Sequence, residues 1–103
     1  MCGILCIINK TPITLKYFLE KLSLLQHRGQ DSFGYGYLVN KKINVEHIKG
    51  LINNYINNED IKSSIFLGHT RYITSGSKDI NVSQPVAGTF KFGEFLFVFN
   101  GNI

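Results

Sequence analysis

Met1-Cys2-Gly3-Ile4-Leu5 is the stretch that decides the fold, because it places a cysteine directly behind the initiator methionine at the start of an apolar run. Loss of Met1, which a small second residue permits, would leave Cys2 with both a thiol and a free α-amino group. A thiol ordinarily has a pKa of about 8.5 and an α-amine one of about 7.7–8.0, so the amine can serve as a base for the thiol. The alternative is that Cys2 is a small apolar residue that begins a buried strand. Motifs elsewhere in the chain must distinguish these two interpretations.

The composition is that of one small globular domain or part of one. Of the 103 residues, 44% are hydrophobic, 13% aromatic and 17% charged, a balance that argues against disorder. The net charge of +4 comes from 11 basic and 7 acidic residues, but the lysines are scattered along the chain. We therefore expect neither a nucleic-acid surface nor a membrane-binding surface.

The amino terminus and the apolar runs bear on location. The longest apolar run is far shorter than the roughly 20 residues that a membrane-spanning helix needs. The start of the chain also lacks the charged region and long apolar core of a signal peptide. A cytoplasmic, reducing location is the expectation.

The two cysteines are not expected to form a disulfide or a metal site. Cys2 and Cys6 lie four residues apart in a predicted strand, so their Cα atoms would be roughly 13 Å apart, too far for a bridge. With His27, His47 or His69 they do not form the compact ligand pairs of a structural zinc site. We expect no metal and no cofactor.

Hydrophobic periodicity predicts an α+β chain. The apolar run from Cys2 to Ile8 predicts a strand covered on both faces and ended by the turn residues 9–12. Apolar residues at threes and fours then predict an amphipathic helix from about Ile13 to Gln26. A hairpin with strands at 33–39 and 43–48 is predicted next, followed by a short helix that begins at Asn58-Glu59-Asp60 and a buried strand at 64–69. One or two further strands are predicted from Phe90 to Phe99, with an interruption near Gly93-Glu94. Residues 95–99 of this last segment are expected to be covered on both sides.

Arginine usage points to a site for a carboxylate. Arg28 and Arg71 are the only arginines, whereas the nine other basic residues are lysine. A guanidinium group binds a carboxylate through two parallel hydrogen bonds, which lysine cannot reproduce. Arg71, at a strand end among Thr70, Tyr72 and Thr74, therefore suits a small substrate that bears a carboxylate. The alternative is a structural ion pair.

Asn100-Gly101 offers a second piece of chemistry. A side-chain amide and a closely approachable backbone N–H at one point are what a tetrahedral oxyanion requires. Taken alone, Asn-Gly is a common hairpin turn, and the polar segment 26–32 that precedes the predicted hairpin is equally compatible with a surface turn. The combination of these motifs with Cys2 favours a catalytic interpretation.

The motifs, taken together and in order, resemble the glutaminase domain of class II glutamine amidotransferases. The stretches that carry the resemblance are Met-Cys-Gly-Ile-Leu at 1–5, Leu-Gln-His-Arg-Gly-Gln-Asp-Ser at 25–32, Gly-His-Thr-Arg-Tyr at 68–72, Gln84-Pro85 and Asn-Gly-Asn at 100–102. The segment 26–31 is most similar to the amidophosphoribosyltransferase branch of that family. The resemblance covers essentially the whole chain.

The resemblance implies a fold and a mechanism. It implies an N-terminal-nucleophile hydrolase of the αββα sandwich type, incomplete at the carboxy-terminal side, with residues 1–103 as the amino-terminal portion of the domain. Cys2 would attack the side-chain amide of glutamine to form a thioester and release ammonia, while Asn100 and Gly101 form the oxyanion hole. Arg71 would bind the substrate carboxylate. The further substrate-binding residues that it implies are Arg28, Gly29, Tyr72 and Thr74.

Some residues depart from the family pattern. Phe99 stands where histidine is usual, Cys6 where glycine is common, and Ile73 where serine is common. In the family, the domain continues with an aspartate for the substrate ammonium, and a phosphoribosyltransferase domain follows. We therefore expect that a phosphoribosyltransferase domain or a second chain completes the unit, and that the chain forms oligomers. A truncated, non-catalytic relic or partner-binding module remains the alternative function.

Overall fold

The computed structural model describes residues 2–56, 60–72 and 84–100. Within these ranges the strands are β1 (Gly3–Thr14), β2 (Ser32–Val39), β3 (Lys42–Lys49), β4 (Lys62–Arg71), β5 (Val86–Phe90) and β6 (Gly93–Phe97). The α-helix is α1 (Leu15–Ser23), and single 3-10 turns span Gln26–Arg28 and Ile52–Asn54. The fold class is therefore α+β, as the sequence predicts.

The strands form two antiparallel sheets. The larger sheet has the order β1-β4-β2-β3, and β5 pairs with β6 in the smaller one. β1 is thus an edge strand whose inner neighbour is β4, with Gly3 opposite Thr70. This pairing brings the start of the chain to the end of β4.

Helix α1 covers one face of the larger sheet. Its apolar side packs over Gly68, where an added Cβ would lie 2.8–2.9 Å from the side chains of Phe18 and Leu22. Phe18 also stacks on Phe66, with ring centroids 4.9 Å apart. The buried core consists of Leu15, Phe18, Leu19, Leu22, Phe33, Tyr35, Ile52 and Phe66. Removal of these side chains from water is the main contribution to stability.

The smaller sheet and the segment before it lie on the opposite face. Leu96 of β6 occupies the space that a side chain at Gly36 would need, and the backbone of Gln84 approaches Gly34 just as closely. The two glycines of β2 therefore let the sheets approach each other. The described part of the chain has three layers, namely helix, four-stranded sheet and two-stranded sheet.

The β2–β3 hairpin confirms the sequence prediction closely. Asn40 and Lys41 have positive φ angles of 52° and 64°. Two consecutive residues of this kind form the type I′ turn, whose twist matches that of the flanking strands.

The first strand and helix differ from the prediction. β1 continues through residues 9–12 to Thr14, because the extra residues are absorbed in a register shift between Ile8 and Ile13. The helix begins at Leu15, where Thr14 Oγ1 accepts a hydrogen bond from the Tyr17 N–H at 3.0 Å. It ends at Ser23, before the predicted Gln26.

The break predicted near Gly93-Glu94 is confirmed, because the turn between β5 and β6 falls at 91–92. Two further expectations are wrong. A helix does not continue from Asp60, because β4 begins at Lys62; Asn58 and Glu59 lie outside the described residues. Strands thought to be covered on both faces are open on one, as the exposures of Ile8 (73%) and Phe97 (42%) demonstrate. None of the helices in the described ranges has the length and apolar character to cross a membrane.

Candidate active site

Cys2 lies at the edge of the larger sheet, one residue before β1. The register that pairs Gly3 with Thr70 puts Cys2 beside Arg71, the last residue of β4. Alternate residues of a strand point to opposite faces. Since Leu5 and Ile7 pack against the core under α1, Cys2 belongs to the other face, toward the smaller sheet.

Asn100 reaches the start of the chain. The Cys2 N–H donates a hydrogen bond of 3.3 Å to Asn100 Oδ1, across 98 residues of sequence. Because Oδ1 is the acceptor, the Nδ2 amide group of Asn100 stays available as a donor. Gly101, the other predicted oxyanion residue, lies outside the described residues.

Thr70 fixes the backbone next to Cys2. The Gly3 N–H donates to Thr70 Oγ1 at 3.0 Å, and the Thr70 hydroxyl donates to the Leu25 carbonyl at 3.3 Å. Thr70 itself is fully buried. The hydroxyl thereby joins β1, β4 and the segment after α1 at one point.

The Arg28-Gly29 turn lies against the ends of both strands. Arg28 Nε donates to the Cys2 carbonyl at 3.5 Å, a long contact. An added Cβ on Gly29 would lie 2.5–2.7 Å from backbone atoms of Thr70 and Arg71, so only glycine allows this approach. The Asp31 N–H donates to the Arg71 carbonyl at 3.1 Å and continues the contact.

The buried side chain of Gln26 forms hydrogen bonds that hold the Arg28-Gly29 turn in place. Gln26 Nε2 donates to the Gly29 carbonyl at 3.2 Å, and Gln26 Oε1 accepts from the Ile52 N–H at 2.7 Å. Gln26 is 7% exposed. It therefore determines the shape of the turn that carries Arg28.

The other predicted binding residues are less defined. Tyr72 follows β4 and is 52% exposed, whereas Thr74 and the Ile73 departure lie outside the described residues. Cys6 is exposed, contrary to the expectation of a buried strand residue, and both cysteines are free thiols. The structure thus brings Cys2, Asn100, Arg28 and the end of β4 together, and the roles of these residues stay predictions.

His69 is the most perturbed titratable group at this end of the molecule. It is 1% exposed, and among the described residues neither of its ring nitrogens has a well-aligned hydrogen-bond partner. Burial lowers the pKa of His69 to about 4; the nearby Phe99 backbone opposes this effect and the charge of Arg71 adds to it. The ring is therefore neutral at physiological pH.

Comparison with known proteins agrees with these motifs. No protein-family model matches the chain. The chain is 33% identical over 107 residues to the amidophosphoribosyltransferase of Haemophilus influenzae, a match that covers all of this chain and 21% of that protein. It is also 33% identical over 108 residues to the amidophosphoribosyltransferase of Methanothermobacter thermautotrophicus, covering 99% of this chain and 23% of that protein.

A second group of relatives widens the match. The glutamine–fructose-6-phosphate aminotransferase (isomerizing) of Aquifex aeolicus is 34% identical over 106 residues, covering all of this chain and 17% of that protein. Over its whole length the chain is thus similar to these two kinds of glutamine amidotransferase, in agreement with the resemblance of its motifs. It spans about a fifth of the length of the amidophosphoribosyltransferases among these curated relatives.

Four residues near the site were not among the predicted site residues. Thr70, His69, Gln26 and Gln84 all stand inside the quoted motifs. Their importance comes from buried contacts with distant segments, which no local pattern indicates. The available signal was their position inside the motifs that carry the family resemblance.

Proposed function

We propose that this chain carries the nucleophile of a glutaminase, in which Cys2 cleaves the side-chain amide of glutamine. The observation that carries the proposal is the 3.3 Å contact between Cys2 N and Asn100 Oδ1. It joins a residue able to act as nucleophile and base to a residue able to stabilise an oxyanion. The contact is made by the backbone nitrogen of Cys2, which becomes the free amine once Met1 is removed.

The proposed reaction begins after Met1 is removed. The Cys2 amine takes the thiol proton, and the thiolate sulfur forms a bond to the amide carbon of glutamine. The amine then gives that proton to the leaving nitrogen, the carbon–nitrogen bond breaks, and ammonia departs from a γ-glutamyl thioester. Water hydrolyses the thioester to glutamate and regenerates the thiol. In this scheme Asn100 Oδ1 orients the amine.

Stabilisation of the intermediate is assigned to Asn100 and Gly101. The Asn100 Nδ2 group and the Gly101 N–H would donate to the oxygen that becomes negative when sulfur attacks. The assignment for Asn100 is supported by its orientation, because its oxygen already faces Cys2 N. That for Gly101 is supported by its sequence motif.

Substrate binding is assigned to the end of β4 and the adjoining turn. Arg71, beside Cys2 in the strand register, would hold the glutamine α-carboxylate through two hydrogen bonds. Arg28, Gly29, Tyr72 and Thr74 would border the substrate. The close fit of Gly29 on the backbone of Arg71 supports the view that turn and strand act as one unit.

The proposal extends to fold and partners. The three described layers are compatible with an αββα N-terminal-nucleophile hydrolase, whose second helical layer would cover β5 and β6. The ammonia would be used by a phosphoribosyltransferase domain or a second chain, as in purine biosynthesis. Two free thiols agree with a reducing cytoplasm.

A glutaminase assay tests the proposal. The purified chain is incubated with glutamine, alone and with a candidate completing domain, and glutamate and ammonia are measured. We expect turnover in at least the completed sample and its loss in Cys2→Ser. Equal activity in Cys2→Ser, or none under either condition, would contradict the proposal and favour the non-catalytic module.

A further inference from the structure

Gln84 makes a contact that its motif alone does not explain. Its side chain is 7% exposed, and Oε1 accepts a hydrogen bond from the Phe99 N–H at 2.6 Å. Phe99 lies two residues beyond the end of β6, past the described pairing of β5 with β6. A side chain, and not a strand neighbour, therefore satisfies this backbone group.

The backbone around Gln84 is itself fixed. His47 Nε2 donates to the Pro85 carbonyl at 2.8 Å. The backbone of Gln84 rests on β2 at Gly34, where any side chain would collide with it. The β2–β3 hairpin thus holds the segment Gln84-Pro85 through two contacts, one from each strand.

A chain of contacts leads from Gln84 to the proposed nucleophile. Gln84 holds the N–H of Phe99, Phe99 is joined covalently to Asn100, and Asn100 Oδ1 accepts from Cys2 N. Asn100 is exposed, and within the described ranges its side-chain amide contacts Cys2 N, so its orientation depends on where its own backbone is held. A fixed peptide unit directly before Asn100 limits the orientations that its side-chain amide can take.

We propose that Gln84 is a positioning residue that aims the Asn100 amide at Cys2 and at the oxyanion; this inference rests on the proposed glutaminase function. Gln84 touches neither the substrate nor the reacting atoms. The contact uses only the backbone of Phe99, so it does not depend on the side chain at that position. This explains why phenylalanine is compatible with the site where the family usually has histidine.

Hydrogen exchange tests the contact without any assay of activity. In Gln84→Met, which keeps the size and removes the acceptor, we expect the Phe99 amide to exchange about tenfold faster or more. The Asn100 side-chain amide resonances should also move. Gln84→Glu keeps an acceptor oxygen and should preserve protection, and the Gly50 amide, which donates to the Asp31 carbonyl at 3.0 Å, serves as a reference. An unchanged Phe99 amide in folded Gln84→Met would overturn the inference.

Covalent labelling of Cys2 tests whether Gln84 acts on the oxyanion site through Asn100. A chloroketone analogue of glutamine reacts with Cys2 and depends on the oxyanion site, whereas iodoacetamide reports the thiol alone. Gln84→Met should slow the first reaction about tenfold or more and leave the second unchanged. In an Asn100→Ala background the same substitution should add no further loss, because the two residues act in series.

The outcomes separate this inference from the proposed function. If the unaltered chain does not react with the chloroketone at Cys2, either alone or with the completing domain, the proposed function fails, and the exchange experiment still decides the role of Gln84 in holding Phe99 and Asn100. If the unaltered chain reacts but the losses in Gln84→Met and Asn100→Ala add independently, the positioning role is wrong. Thermal unfolding of each variant confirms that it is folded.

Discussion

At the scale of single residues, the candidate site depends on a few polar contacts between segments that are far apart in sequence. Cys2 contacts Asn100 and Arg28, and its neighbour Gly3 contacts Thr70. A single hydrogen bond of this kind contributes about 0.5–1.5 kcal/mol to stability. In a transition state the same group can contribute more, because charge develops where the donor already points.

Substitutions of Asn100 and Arg71 are expected to change different kinetic parameters. In the active protein Asn100→Ala should lower kcat by about 10²–10³, because it removes an oxyanion donor. Arg71→Lys should instead raise the KM for glutamine, since a bidentate charged contact contributes on the order of 1.5–3 kcal/mol. Steady-state kinetics with glutamine measure both. Asn44→Ala is the control, because the amide of Asn44 donates to the Lys42 carbonyl within its own hairpin. Similar mild effects on both parameters in both variants would assign these residues to structure.

His69 predicts a dependence of stability on pH. Its pKa is about 4 in the folded chain against an ordinary value of 6.5. Between these values the unfolded chain binds a proton that the folded chain does not, so the free energy of unfolding decreases as the pH falls from about 6.5 to about 4. The loss reaches at most about 3 kcal/mol and levels off below the folded pKa.

Urea unfolding at several pH values measures this effect. His69→Gln cannot titrate, so the decrease over that window should become shallower by the His69 share. His27→Gln, which alters an exposed histidine, is the matched control and should leave the slope nearly unchanged. An identical slope in His69→Gln and the unaltered chain would mean that the buried ring is protonated as readily as a free one.

At the scale of elements, the two glycines of β2 control the contact between the sheets. Gly34→Ala sets a methyl group against the backbone of Gln84, whereas the close contacts of Gly36→Ala are with the end of the Leu96 side chain. Overpacking of this kind costs about 1–3 kcal/mol. We expect Gly34→Ala to lose stability and also slow the labelling of Cys2, because it displaces the segment that holds Phe99. Gly36→Ala, measured by the same unfolding and labelling experiments, should lose stability alone. Equal labelling rates in the two variants would contradict a link between β2 and the site.

The hairpin and the motif order could be predicted from the sequence, because they depend on local patterns. Alternation in β2 and β3 and the polar turn at Asn40-Lys41 are sufficient for that element. The length of β1 was not predictable in this way. Pro12 and its neighbours indicate a turn, but β1 is an edge strand, where proline leaves no ladder bond unmade.

Exposure and the supporting contacts of the site depend on topology. The apolar run of β1 suggested burial on both faces, yet an edge strand leaves Ile8 and Cys6 open. Gln84 and Gln26 meet their partners only after the sheets have formed. The reactive residue types could be read from the motifs, whereas the residues that hold them required the fold.

At the scale of the whole molecule, a large apolar surface predicts self-association. Phe92 is 83% exposed, Ile8 73% and Phe90 55%. The aromatic rings between Phe90 and Phe99, which lie on β5, on β6 and in the segments that join and follow them, form a connected row with centroids 5.9–6.4 Å apart. Exposed patches and unpaired strand edges favour association. We expect oligomers in size-exclusion chromatography and binding of a dye specific for apolar surface.

Lysine substitutions at exposed apolar residues should reduce the predicted self-association. Ile8→Lys and Phe92→Lys, separately and together, should shift the chain toward monomer, while Lys10→Glu changes charge without removing apolar area and serves as the control. Addition of a domain that covers the surface should reduce dye binding. A sharp monomer peak with cooperative unfolding for the unaltered chain would show that the exposed apolar surface does not drive association.

The central claim is that Cys2 is an amino-terminal nucleophile. Mass spectrometry of the protein isolated from cells, before and after reaction with the chloroketone analogue of glutamine, tests it directly. We predict that Met1 is absent and that a single adduct forms on Cys2, even though Cys6 is exposed and free; Cys6→Ser should label as fully as the unaltered chain. A retained Met1, or an adduct found on Cys6 and not on Cys2, would contradict the mechanism.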